Sequence, residues 1–363
     1  MIVGNLAHRP IRSLISIVAV ALEVTLILLI VGLCLGQVEH SHDSTAGIGA
    51  DVIVLPPGSS FIVGLTGAPV SVKVGGILAK LPHVKSVAPV LTQIATSGSL
   101  EIIAGIDLAS YESMSGPFRY VQGGPFQGPR DAMVDDLFAQ YKHVKVGDSI
   151  DILNNSFRVC GIVEHGKGGR KFIPLSTLQD LVAKDKVSVF YLKLDDPANA
   201  DTVVSEVKAV PGMERYVVQP MQAYLGMLTM SSYPGLPVFI NVVVGISVVI
   251  GFIVIFQAMY TAVMERTREI GILKAMGASR LYIVNAVLRE TVLLAIGGIV
   301  LGVVVSLIAR VGLAHKFPLL PIIVGGNWIL RATFIAIAGA IAGALYPAFK
   351  AAQKDPIDAL AYE

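Results

Sequence analysis

Four apolar stretches dominate the pattern along the chain: Leu14–Leu35, Leu236–Val263, Ile283–Leu313 and Trp328–Ala348. Each is near or above the roughly 20 residues a helix needs to cross a hydrocarbon core of about 30 Å. They predict a transmembrane helix in residues 1–36 and three more at about 236–263, 283–313 and 328–348 within 235–363. Between the first and second, residues 37–234 have the pattern of an ordinary α/β domain. Ala50–Leu55 and Ser188–Leu194 are short β-branched or aromatic runs, as strands are. Val74–Leu81 and Ala200–Val210 have helical spacing and are closed by Pro82 and Pro211. Each leads into a second strand-like run, Pro82–Pro89 and Pro211–Val218, so the domain reads as two β-α-β-like repeats. They flank a mainly β subdomain at about 105–165, in which Val146–Val159 predicts a hairpin turning at Asn154-Asn155. The predicted fold class is therefore membrane α-helical, with four transmembrane helices and an inserted α/β domain.

Composition supports this division. The chain of 363 residues is 54% apolar but only 15% charged, against about a quarter charged in soluble domains, and its mean hydropathy is +0.70. A net charge of +2 gives no basis for a nucleic-acid partner. The basic residues lie beside the spans: Arg9 and Arg12 before the first, Arg266, Arg268, Lys274, Arg280 and Arg289 between or just inside the second and third, Lys350 and Lys354 after the fourth, against only Arg310, Lys316 and Arg331 near the opposite ends. The positive-inside rule then places both termini and the 264–281 loop in the cytoplasm and the large domain outside. Leu14–Leu35 exceeds the apolar core of a signal peptide and is read as an uncleaved span. Cys34 falls within that span and Cys160 within the domain, so no intrachain disulfide is expected.

The loop Met264–Arg280 predicts a short amphipathic helix closed by Gly277. Ile270, Leu273, Ala275 and Met276 are expected to meet apolar surface while the charges face water or a partner. Read from composition alone, the segment is a solvated basic loop. Gly298-x-x-x-Gly302 and Gly339-x-x-x-Gly343 allow close helix approach, either within the chain or between two copies. Glu23 lies in mid-span, where a charge is costly, and is expected to face protein, paired or protonated. Glu39–Asp43 alternates carboxylates and histidines, but so does many a short polar junction, and no metal site is assigned there. No G-x-x-x-x-G-K-[ST] is present. The nearest stretch, Gly166–Lys171, lacks its spacing and hydroxyl and is read as a mobile basic loop. No nucleophile–base set stands out, so no catalytic residue is assigned and no enzyme activity is expected of this chain.

The order of residues from Glu265 to Ala278, E-R-x-R-E-I-G-x-L-K-A-x-G-A, resembles the signature of ABC transporter permeases of the MacB/FtsX/LolC type. Tyr346–Leu360 is similar to that family's ending, a Pro-Ala-x-x-A-A segment then D-P-x-x-A-L, and Asn5–Ser13 resembles its amphipathic lead-in helix. Gly105–Asp107, Lys145–Asp148 and Phe157–Val163 fit as well, so the resemblance covers essentially the whole chain. It implies a non-catalytic permease in the bacterial inner membrane, paired with a second permease subunit as a homo- or heterodimer and bound by two copies of an ABC ATPase. No cofactor would bind this chain; ATP and Mg²⁺ would bind the ATPase. The resemblance makes Glu265, Arg266, Arg268, Glu269, Gly271, Lys274, Ala275 and Gly277 the coupling loop to that ATPase. It further implies mechanotransmission, in which the outer domain moves to export or extract a hydrophobic or amphiphilic cargo, with a periplasmic adaptor and outer-membrane channel as further partners beside membrane lipids. The alternative it leaves is a non-transporting lever that switches an extracytoplasmic enzyme such as a wall hydrolase.

Overall fold

The structure, a computed structural model, describes residues 10–59, 68–96, 100–233 and 235–353. The expected lead-in at Asn5–Arg9 and the closing segment Lys354–Leu360 lie outside the described residues. The chain divides into two compact units, one of Met1–Gly36, Gly235–His315 and Ile322–Glu363, the other of Gln37–Pro234 and Lys316–Pro321.

The first unit is helical. Pro10–Ala46, Leu236–Glu265, Arg280–Lys316 and Gly326–Gln353 are each long and apolar enough to cross a membrane. These helices are apolar around most of their circumference, as spans facing lipid on one side and protein on the other must be. Val242, Ile246, Val249 and Ile253 are exposed on the second, and Val300, Val304 and Ile308 on the third. Small residues set the packing between them. A Cβ at Gly298 would come within 2.5 Å of the Val20 Cβ, and one at Gly302 within 2.7 Å of the Ala21 carbonyl, so this pair seats the third span against the first. Thr25 Oγ1 donates to the Gly302 carbonyl at 3.2 Å across the same contact. Gly343 seats the fourth span against the second, where a Cβ would lie 2.9 Å from the Phe252 carbonyl. Gly339 has open space at its Cβ position.

These distances predict a contrast. Gly302→Ala should destabilise the helical unit by about 1–3 kcal/mol through overpacking. Gly339→Ala should be neutral or stabilising by up to about 1 kcal/mol, alanine being the better helix former. Thermal unfolding of the detergent-solubilised chain measures both, and equal midpoints for the two variants would show that Gly302 does not set this contact.

The second unit is built on one ten-stranded sheet. Its strands in chain order are β1 (Val52–Leu55), β3 (Val84–Thr96), β4 (Leu100–Ile106), β5 (Tyr120–Gly123), β6 (Asp131–Asp135), β7 (Ser149–Ile152), β8 (Asn155–Val163), β9 (Lys171–Pro174), β11 (Val189–Leu194) and β12 (Val217–Pro220). The short strands β2 (Val70–Ser71) and β10 (Lys186–Val187) form a separate pair. The sheet order is β12-β1-β11-β3-β4-β9-β6-β8-β5, with β7 on β8. The two repeats are thus interleaved. The strand closing each one pairs with the strand opening the other, β3 with β11 and β12 with β1, while β1 and β11 lie antiparallel side by side. This is a split β-α-β arrangement. The inserted segment leaves from the free edge of β3 through β4 and extends the same sheet.

Alternation along β1 shows how both faces are covered. Val52 and Val54 belong to a core with Val203 and Val207 of helix Ala200–Ala209 and Leu78 of helix Val74–Leu78. Ile53 and Leu55 point to the other face, with Val189, Met221, Tyr191 and Tyr224. The hairpin expected in Val146–Val159 forms, but its turn is one residue earlier than expected. Ile152 pairs with Asn155, so Leu153 and Asn154 are the loop residues, both at positive φ, +53° and +61°. Two residues in that conformation match the right-handed twist of the flanking strands, a register the sequence leaves open.

Candidate functional site

The loop between the second and third spans is a helix, Thr267–Ala275, set off from the second span by Arg266 at φ −105°, ψ 18°. The break is local: the Thr267 hydroxyl turns back to donate to the Met264 carbonyl at 2.8 Å. The far end closes as the glycine predicts. Gly277 adopts φ +95°, its N–H donates to the Lys274 carbonyl, and the Ala278 N–H donates to the Leu273 carbonyl, both at 3.0 Å. That pair of bonds on a left-handed glycine is a Schellman motif.

The two faces of this helix differ from the division expected of it. Thr267, Ile270, Gly271 and Lys274, at spacings of three and four, turn toward the chain's own helices. Thr267 and Gly271 are buried, Ile270 packs on Val263, Ile283 and Ala348, and Lys274 Nζ donates to the Ala352 carbonyl at 3.0 Å. Arg266, just before the helix, reaches Glu290 of the third-span helix at 3.1 Å, with side-chain exposures of only 15% and 13%. Glu265, Arg268, Glu269, Ala275 and Gly277 are exposed, together with Ile272 at 45% and Met276 at 72%. Ala275 and Met276 therefore face outward and Arg266 and Lys274 inward, the reverse of a simple apolar-in, charged-out reading. The physical reason is that the neighbouring helices supply acceptors, the Ala352 carbonyl at the end of the fourth-span helix for Lys274 and the Glu290 carboxylate of the third for Arg266. Glu290 was not singled out from the sequence; an acid beside Arg289 in the largely apolar run Ile283–Leu313 was the available signal.

Glu23 is buried at 5% exposure. It packs against Gly251 of the second span, where a side chain would collide with its carboxylate. Among the described residues its Oε1 has no hydrogen-bond partner. The histidines of Glu39–Asp43 do not converge. His42 contacts Asp43 at 3.1 Å, whereas His40 Nε2 accepts from Arg170 Nη2 at 3.1 Å. The Gly166–Lys171 loop is tied down on both sides, contrary to the mobile loop expected. Gly168 N donates to the Ser44 carbonyl at 2.8 Å, Tyr111 donates to the Lys167 carbonyl at 2.8 Å, and Lys167 Nζ donates to the Gly116 carbonyl at 2.7 Å. Its glycines serve close approach: a Cβ at Gly168 would meet the Tyr111 hydroxyl at 2.6 Å.

Residues 13–210, more than half of the chain, match the family model described as the MacB-like periplasmic core domain. Residues 241–356 match the FtsX-like permease C-terminal model. The chain belongs to the MacB/FtsX family of ABC transporter permeases. Within that family it is 25% identical over 391 residues to the macrolide export ATP-binding/permease protein MacB of Shewanella sp. (strain W3-18-1), an alignment covering 98% of this chain and 59% of that protein. The protein of the same description from Neisseria meningitidis serogroup A is 26% identical over 392 residues, covering 99% of this chain and 59% of the relative. The chain thus spans less than two thirds of the length of these relatives. Among solved structures, the periplasmic region of MacB from Actinobacillus actinomycetemcomitans aligns at 16% identity and a TM-score of 0.39, covering 50% of this chain and 94% of that one. The MacB/FtsX assignment and the four apolar helices make this a multi-pass inner-membrane protein, and its inserted unit a MacB-type periplasmic domain.

Proposed function

We propose that the chain is the permease subunit of an ATP-driven transporter of the mechanotransmission type. Both termini and the helix Thr267–Ala275 face the cytoplasm, and the inserted unit lies outside. A separate ABC ATPase, in two copies, binds and hydrolyses ATP. A second permease subunit completes the assembly, and motion of the periplasmic unit drives export or extraction of a hydrophobic or amphiphilic cargo. The observation that carries this reading is the two-sided helix Thr267–Ala275: one stripe is fixed to the chain's own spans, and the other presents Glu269, Ile272 and Met276 outward. An apolar centre with a charged rim is the composition of a docking surface. The absence of any G-x-x-x-x-G-K-[ST] from the sequence supports placing nucleotide chemistry on the partner.

The purified chain alone should neither bind nor hydrolyse ATP, and when co-expressed with its cognate ATPase it should co-purify with it. Equilibrium binding of labelled ATP and a phosphate-release assay measure the first, affinity purification the second. ATP turnover by the isolated chain would overturn the proposal.

A further inference from the structure

The face of the sheet carrying Ile53 and Leu55 borders a cavity of about 720 Å³. That volume lies within the roughly 300–1,000 Å³ of ordinary small-molecule sites. Its other walls are the end of the first helix from Gln37 to Thr45, the helix Asp136–Lys142 and the segment containing Leu319 and Leu320. All of these belong to the inserted unit. Along the chain, Gln37 lies in the last turns of the first helix, Pro10–Ala46, and Leu319 in the link between the third and fourth.

The lining is divided chemically. Ile53, Leu55, Ile102 and Val189 from the sheet, with Leu319 and Leu320, form an apolar side. Arg170, Lys142 and Lys171 are the cationic members of the same lining. No aspartate or glutamate occurs among the described lining residues. Arg170 is held in place from three directions. Its carbonyl accepts from the Asp135 N–H at 2.9 Å, and Nη2 donates to His40 Nε2 at 3.1 Å and to the Leu319 carbonyl at 3.3 Å. Both side-chain acceptors are uncharged, since an arginine can only donate and the ring nitrogen facing it must accept. Among the described residues Arg170 makes no ion pair. Burial pushes its pKa below the usual arginine range, with the nearby Asp135 opposing. Asp135 is itself buried, which raises its carboxyl to about 6, and its Oδ1 is engaged by the Phe138 N–H at 2.7 Å. A partly desolvated guanidinium whose direct partners are neutral is matched by a carboxylate or phosphate, which it can grip with two parallel hydrogen bonds.

We infer that this cavity binds an amphiphile with one acidic headgroup, the carboxylate or phosphate on Arg170 and the hydrocarbon chain along Ile102, Val189 and Leu320. Calling that ligand the cargo rests on the permease reading; its binding does not. A cationic amphiphile is disfavoured, because it would bring like charge to Arg170 in a partly dry site.

The test uses the full chain in phosphatidylcholine nanodiscs, without ATPase, with empty discs as blank. Radiolabelled laurate stands for a free fatty acid, lauroyl lysophosphatidic acid for a lipid headgroup, and dodecyltrimethylammonium for the opposite charge. At least one anion should bind saturably, and the one that binds identifies the source; the ammonium should not. Arg170→Gln should weaken anion binding about tenfold or more, and Arg170→Lys should restore part of it. Ile102→Trp, which fills the apolar side and leaves Arg170 in place, should block binding independently. Failure of both anions to exceed the blank, equal binding of the ammonium, or unchanged binding by Arg170→Gln would each overturn the inference. Co-purification with the ATPase is read separately. If it persists while anion binding fails, only the cavity assignment falls; if it is lost while the anion still binds, only the permease reading does.

Discussion

Replacing Glu269 by lysine, or Met276 by aspartate, should abolish transport and strip the ATPase from the purified complex while the permease still inserts and its periplasmic unit still folds. Both side chains face outward, Glu269 from helix Thr267–Ala275 and Met276 from its C-terminal cap, where it is 72% exposed, so neither substitution disturbs packing within the chain. Glu269 in the first turn also suits the positive end of the helix dipole, a small gain of about 0.3–1 kcal/mol that lysine reverses. The larger effect is across the proposed interface, where truncating one member of a buried, charge-assisted contact costs about 2–5 kcal/mol. Gly271 is a poorer place to test the same idea. It is buried against the chain's own helices, and a bulky residue there would fail through the permease's own packing. Co-purification by affinity tag and cargo transport in cells measure the outcome, with His42→Ala as a control expected to keep transport near normal. Wild-type transport by both variants would make this helix a solvated connection and end its coupling role.

How much of this was legible in the sequence depends on whether the signal is local. The four spans were, because each contains a run of apolar residues long enough to cross a membrane. The strands at Val52–Leu55 and Val189–Leu194 and the helix Ala200–Ala209 were, because periodicity and proline punctuation act over a few residues. Pairing was not. Nothing in either repeat states that its closing strand will add to the other repeat's opening strand, since that exchange is decided by the packing of two faces at once. The short helix Thr267–Ala275 is legible in the sequence, but which of its faces is buried is not. A nine-residue helix has only two turns of pattern, and Lys274 is held inward by a carbonyl 78 positions away. Gly166–Lys171 was misread for a related reason. Glycine marks both loose loops and backbones in close contact, and only the surrounding structure distinguishes them. Arg170 drew notice only as part of that loop, since its neighbours His40 and Leu319 are far from it in sequence.

The pair Arg266–Glu290 carries the second large effect. Arg266 occupies the break between the second span and the short helix, and Glu290 lies within the third-span helix Arg280–Lys316, so their contact ties the short helix to the third-span helix. Both heads are largely withdrawn from water, and Arg266 Nη1 reaches both carboxylate oxygens, at 3.1 and 3.4 Å. Removing Arg266 leaves the Glu290 carboxylate buried and uncompensated, which costs about 3–5 kcal/mol. Arg266→Ala or Glu290→Ala should accordingly lower the thermal midpoint of the detergent-solubilised permease by several degrees or more. Removing both charges with apolar residues of similar size, Arg266→Met with Glu290→Leu, should recover most of the loss, because the pair's attraction is largely offset by its own desolvation. The exchange Arg266→Glu with Glu290→Arg separates structure from docking. If Arg266 acts only within the chain, the exchange restores both the thermal midpoint and ATPase co-purification. If its guanidinium instead contacts the ATPase, the exchange restores the midpoint and leaves co-purification lost. The inward geometry of Arg266 leads us to expect the first result, with docking left to Glu269, Ile272 and Met276.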